Sequence, residues 1–92
     1  MDTVSPASVP RRPPHLAWQD IAGEAVVLDA KARVLRGLNA TGARVWDLID
    51  GVRTVEDIAA TLAAEWVRDL SPTLADVLGF VEALRDRGLV EI

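Results

Sequence analysis

The sequence contains no cysteine. That removes disulfides, thiolate metal sites and cysteine nucleophiles. It has one histidine, His15, behind Pro13 and Pro14. Nothing near it in sequence would complete a triad or a ligand set, so a surface or packing role is its plain reading. Tyrosine is absent, and one phenylalanine and three tryptophans are the only aromatic residues. A core must therefore rest on Leu, Val, Ile and Ala. No apolar run approaches the roughly 20 residues of a membrane helix. The opening "MDTVSPASVPRRPPHL" has no apolar stretch of the kind a secretory signal needs. Neither "GEAVV" nor "GARVW" has the glycine spacing of a phosphate loop. Basic residues are in the minority, ten against fourteen acids, for a net charge of −4. Such a balance suits neither nucleic acid nor an anionic membrane. The expectation is a protein that is not an enzyme and has no metal or cofactor residues. The missing thiols fit a reducing cytoplasm, the expected location.

What is present suits one small domain. The chain has 92 residues, 50% hydrophobic and 26% charged, enough for a modest core without cross-links. Residues 1–13 carry Pro6, Pro10 and Pro13 among small polar residues. They read as a flexible tail, leaving residues 14–92 as the folded domain. "HLAWQDI" (15–21), "EAVVLDA" (24–30) and "ARVLRGL" (32–38) are short, partly alternating runs separated by turn residues. They predict an antiparallel meander.

After Asn39 the apolar period becomes helical. Asn39 or Thr41 can cap a first helix carrying Val45, Trp46 and Ile49, and Gly51 suits the left-handed position that ends it. "TVED" starts a second helix at Thr54, with a stripe of Val55, Ile58, Ala59, Leu62 and Trp66. "SPTLAD" starts a third at Ser71, with Pro72 as its first residue. It runs to about Arg87, and Gly88 stops it. "LVEI" (89–92) is a short extended end. Three strands followed by three helices make an α+β fold.

Trp46 and Trp66 fall on helical stripes and read as core, whereas Trp18 on the first strand is open to packing or binding. Lys31, Arg33 and Arg36 gather around the third strand, as a solvated face or as a landing site for an acidic peptide. In the third helix Leu74, Val77, Leu78, Phe80, Val81 and Leu84 cover nearly half the circumference. One packing face needs less, so the helix is either sandwiched in the core or lines a groove. The second and third helices also read as helix-turn-helix, which keeps a winged-helix DNA-binding regulator as the competing class. The would-be recognition helix carries Asp76, Glu82 and Asp86 against Arg85 and Arg87, with no Lys, Asn or Gln for base edges.

The stretch "LNATGARVWDLIDGVRTVEDIAATLAAEW", followed by "DVLGFVEALRDRGLVEI", resembles the PqqD family. The resemblance rests on the order and spacing of Leu38-Asn39-x-Thr41-Gly42, Trp46, Leu48, Asp50-Gly51, Thr54, Ile58-Ala59, Leu62, Asp76-Val77, Phe80, Leu84 and Gly88-Leu89. It covers residues from about 15 to 92. The family is named for pyrroloquinoline quinone biosynthesis, and its fold is called the RiPP recognition element. The resemblance implies a winged-helix-like arrangement of three strands and three helices. It implies binding of a precursor peptide's leader and delivery to a modifying enzyme, often a radical SAM protein. The leader would add a strand to the third strand and pack on the third helix. The expected peptide-binding residues are Arg33, Val34, Leu35, Arg36 and Gly37 with Asp76, Val77, Phe80, Val81 and Leu84. Quinone-pathway members more often lack this Thr-Gly pair and tryptophan. Leader recognition for a lasso-peptide protease and cyclase therefore stands beside the quinone pathway. A monomer and a homodimer are both compatible with such a fold.

Overall fold

The computed structural model describes residues 3–92; the first two residues of the expected tail lie outside the described residues. Strands β1 (Leu16–Ile21), β2 (Glu24–Asp29) and β3 (Val34–Leu38) precede helices α1 (Ala40–Leu48), α2 (Val55–Trp66) and α3 (Leu70–Asp86). The sheet is an antiparallel meander in the order β1-β2-β3. Its first turn is two residues long, Ala22 and Gly23, with φ of 53° and 82°. Two left-handed residues give the mirror-image turn whose twist matches the strands it joins. The second turn is held by Asp29, whose carboxylate accepts from the backbone N–H groups of Lys31 (3.1 Å) and Ala32 (3.2 Å).

Period-two alternation decides which face of the sheet is covered. Ala25 and Val27 on β2 are fully buried, while Leu28 and its cross-strand partner Leu35 face outward and are exposed. The buried residues join one core with Val45, Trp46 and Ile49 of α1, Val55, Ile58, Ala59 and Leu62 of α2, and Val77, Val81 and Leu84 of α3. Leu89 and Val90, beyond α3, close it.

The helix starts follow local chemistry. The Asn39 side chain accepts from the Gly42 N–H at 2.9 Å. Thr54 and Asp57 form a reciprocal capping box at α2, with both bonds at 3.0 Å. α3 begins two residues earlier than "SPT" suggests, at Leu70, with Asp69 at the cap making no side-chain bond. Pro72 is tolerated because first-turn N–H groups have no intrahelical partner. The buried Thr73 hydroxyl donates to the Asp69 carbonyl at 2.9 Å, which fixes this start.

The tail needs correction. Val4 and Pro10 are buried. The carbonyls of Ser8 and Pro6 accept the Val55 and Glu56 N–H groups, each at 2.9 Å, and the Pro10 carbonyl accepts from Gly51 at 3.1 Å. Arg11 pairs with Glu91 through two backbone bonds of 2.9 Å and a 2.8 Å ion pair. The same prolines that exclude helix favour an extended chain. Here that chain supplies acceptors to the first turn of α2, whose donors would otherwise be unpaired.

Candidate functional site: the groove between β3 and α3

The meander leaves two edge strands, β1 and β3. β3 has α3 beside it, and the two complete a groove. The groove has a volume of about 350 Å³ and is lined by Leu35, Arg36, Gly37 and Leu38 on one side and Phe80, Leu84, Arg87 and Leu89 on the other. Phe80 also borders a second cavity, of about 200 Å³, with Thr41, Gly42, Val45, Trp66, Arg68, Asp76 and Val77. The Phe80 ring therefore stands as a ridge between the two.

Gly42 explains where that ridge sits. A Cβ built on Gly42 would fall 2.9 Å from the Phe80 Cζ, closer than packing permits. The glycine of the Asn-x-Thr-Gly corner thus makes room for the Phe80 ring of α3. Because Gly42 follows β3 by four residues, Phe80 lies at the Leu38 end of the groove. Arg87, seven residues and about 10 Å further along the helix, lies towards the other end.

The structure separates the expected site residues. Leu35, Arg36, Gly37, Phe80 and Leu84 line the groove together. Leu84 is 1% exposed and forms its floor. Val81 is 0% exposed; it belongs to the core and presents nothing to a ligand. Val77 is also core and borders only the second cavity. Asp76 borders that cavity too and pairs with Arg68 at 3.3 Å. Arg33 belongs to the turn before β3, at φ 55°. Val34 starts β3 and is half-buried outside the groove lining.

Leu38, Arg87 and Leu89 line the groove without having been expected there. Leu38 was legible, since it shares a face with Arg36 at period two. Arg87 and Leu89 were not, because they flank the chain reversal at Gly88, φ 73°.

Electrostatics mark the same place. Arg11, Arg44, Arg53, Arg68 and Arg85 each pair with a carboxylate. Arg12 stacks on Trp18, 4.7 Å from the ring centroid. Among the described residues, Lys31, Arg33, Arg36 and Arg87 have no ion-pair partner. These four lie on β3, the turn before it and the end of α3. Arg44 is held further into its charged form by its hydrogen bond to Glu65. No group of three or more His, Cys, Asp or Glu side chains that could hold a metal occurs among the described residues. No described helix is long and apolar enough to cross a membrane.

Comparison with known proteins bears on the fold and the family. No curated relative matches the sequence. Three solved structures superpose over most of the chain. TbiB1 in complex with the TbiA(beta) leader peptide is 27% identical, with a TM-score of 0.81, over 88% of this chain and 94% of that one. The PqqD truncation of Methylobacterium extorquens PqqCD, described as a functional and stand-alone RiPP recognition element, is 28% identical with a TM-score of 0.80, over 96% and 94%. Lasso peptide synthetase B1 complexed with its leader peptide shares the fold at 20% identity and a TM-score of 0.81, over 92% and 100%. The family model described as coenzyme PQQ synthesis protein D matches residues 24–90. That span runs from β2 through all three helices to Val90 and holds every residue lining the groove, so the chain belongs to the PqqD family.

Proposed function

We propose that this protein is a non-catalytic RiPP recognition element that binds the leader of a ribosomally made precursor peptide and delivers it to a separate modifying enzyme, either a radical SAM maturase or a protease and cyclase. The observation that carries this reading is the groove shared by a free edge strand and an apolar helix. An added strand would satisfy the unpaired N–H and C=O groups of β3. Its inward side chains would meet Leu38, Phe80 and Leu84, and its outward ones would stand beside Leu35. Backbone pairing supplies register, and the apolar wall supplies selectivity. Similarity to TbiB1, whose structure holds a leader peptide, supports a leader as the ligand. A DNA-binding reading has no such support: α3 carries a net negative charge and forms the wall of this groove.

The test is a leader peptide added to isotope-labelled protein. Amide shifts should concentrate in residues 33–38 and 80–89. Phe80→Ala should weaken binding at least about tenfold, since a buried Phe is worth roughly 1.5–3 kcal/mol. The fold should survive, because Phe80 is only half-buried. Shifts confined to residues 54–66, or normal binding by Phe80→Ala, would place the peptide elsewhere.

A further inference from the structure

We propose that Arg36 and Arg87 form a clamp for one inward-facing carboxylate of the bound peptide. The ligand class is then an extended segment carrying Asp or Glu two residues from an apolar side chain. This rests on the leader-binding reading above and narrows it.

Both arginines line the groove, and neither has an ion-pair partner among the described residues. They approach it from opposite walls: Arg36 from the inner face of β3, opposite the buried Val27, and Arg87 from the end of α3. No acidic residue lines the groove with them. In a chain of net charge −4, whose other arginines apart from Arg33 in the turn before β3 are paired or stacked on tryptophan, two guanidiniums without an ion-pair partner at one cavity are a local reversal of sign. Guanidinium recognises carboxylate through two parallel N–H···O bonds, which gives both energy and geometry.

The clamp sits at one end of the groove and the apolar ridge of Phe80 and Leu38 at the other. Inward side chains of an added strand recur every second residue. A carboxylate in the clamp therefore places the next inward residue against Leu84 and Phe80. The motif reads acid-x-apolar or apolar-x-acid according to the direction in which the peptide runs.

The experiment uses the full chain against a display library of random twelve-residue peptides, followed by synthetic versions of the selected binders. Selected peptides should carry Asp or Glu at that period-two spacing. Replacing the acid by its amide should weaken binding by about tenfold, as expected when a hydrogen bond to a charged group is lost. Arg36→Glu and Arg87→Glu should each lose this discrimination and gain affinity for a third version of the peptide with Lys in place of the acid, a gain that a misfolded variant could not show. If acid and amide peptides bind alike while shifting amides in residues 33–38 and 80–89, the clamp is wrong and the groove stands. If selected binders shift amides elsewhere, the leader-binding reading fails with it.

Discussion

Trp46 shows how one residue is committed to the fold. It is fully buried, meets Trp18 edge-on at 6.3 Å, and its indole N–H finds no acceptor among the described residues. A buried donor left unpaired costs stability, so the ring is retained for its volume. Trp46→Ala should cost about 3–5 kcal/mol, much of the ~5–15 kcal/mol available to such a domain. Urea unfolding measures this; unchanged unfolding with weakened peptide binding would make Trp46 a site residue instead. Asp47, its neighbour, carries a small liability. Burial, followed by the Asp20 charge, raises its pKa, with Arg44 and Arg12 pulling the other way. A carboxyl whose folded pKa is raised costs stability once it ionises, and the cost vanishes at low pH where both states are protonated. Asp47→Asn should therefore raise the melting temperature at pH 7. That advantage should shrink as the pH falls through the carboxylate range. Melts at pH 7 and pH 3.5 check the sign.

At the scale of elements, the N-terminal segment and α3 each do two things. The segment supplies acceptors to α2 and pairs with the end of the chain through Arg11 and Glu91. Deleting residues 1–13 should lower stability by at least about 2 kcal/mol. Burying Val4 alone is worth about 1.5–3 kcal/mol, and the α2 donors would lose partners worth about 0.5–1.5 kcal/mol each. A deletion with an unchanged urea midpoint would show that these contacts contribute nothing. α3 is both sandwiched and groove-lining. Its Val77–Val81–Leu84 stripe faces the core, and Phe80, rotated from that stripe, faces the groove. The two alternatives posed by its wide apolar arc are both true, on different sides of one helix.

Across the whole molecule, charge is segregated. The surface is acidic overall, yet the unpaired Lys31, Arg33, Arg36 and Arg87 collect at β3 and the end of α3. An acidic leader should therefore bind more weakly as salt rises. The fall should be only several-fold between low and roughly 0.5 M salt, because exposed pairs are worth about 0–1 kcal/mol each. An uncharged leader analogue should show no such fall. Titrations of both peptides at several salt concentrations measure it, and equal salt sensitivity would remove the role assigned to these cations.

The sequence by itself determined the elements. Period-two and helical patterns, the Asn39 and Thr54 caps, and the glycines at turns are local signals, read over a few residues, and they gave the meander and the three helices. The corner "LNATG" and the residues after it were enough to reach the family. Tertiary structure alone decided which apolar residues of α3 are spent on the core. Val77 and Phe80 carry the same hydrophobic signal, and it is the packing of α3 in the fold that buries Val77 in the core and leaves Phe80 on the groove, its ring against Gly42. It also decided that a proline-rich segment packs, because its partners on α2 and at Glu91 lie far away in the chain. Arg87 joined the groove for the same reason: a contact between residues some fifty positions apart is set by how helices pack on a sheet, which no local period records.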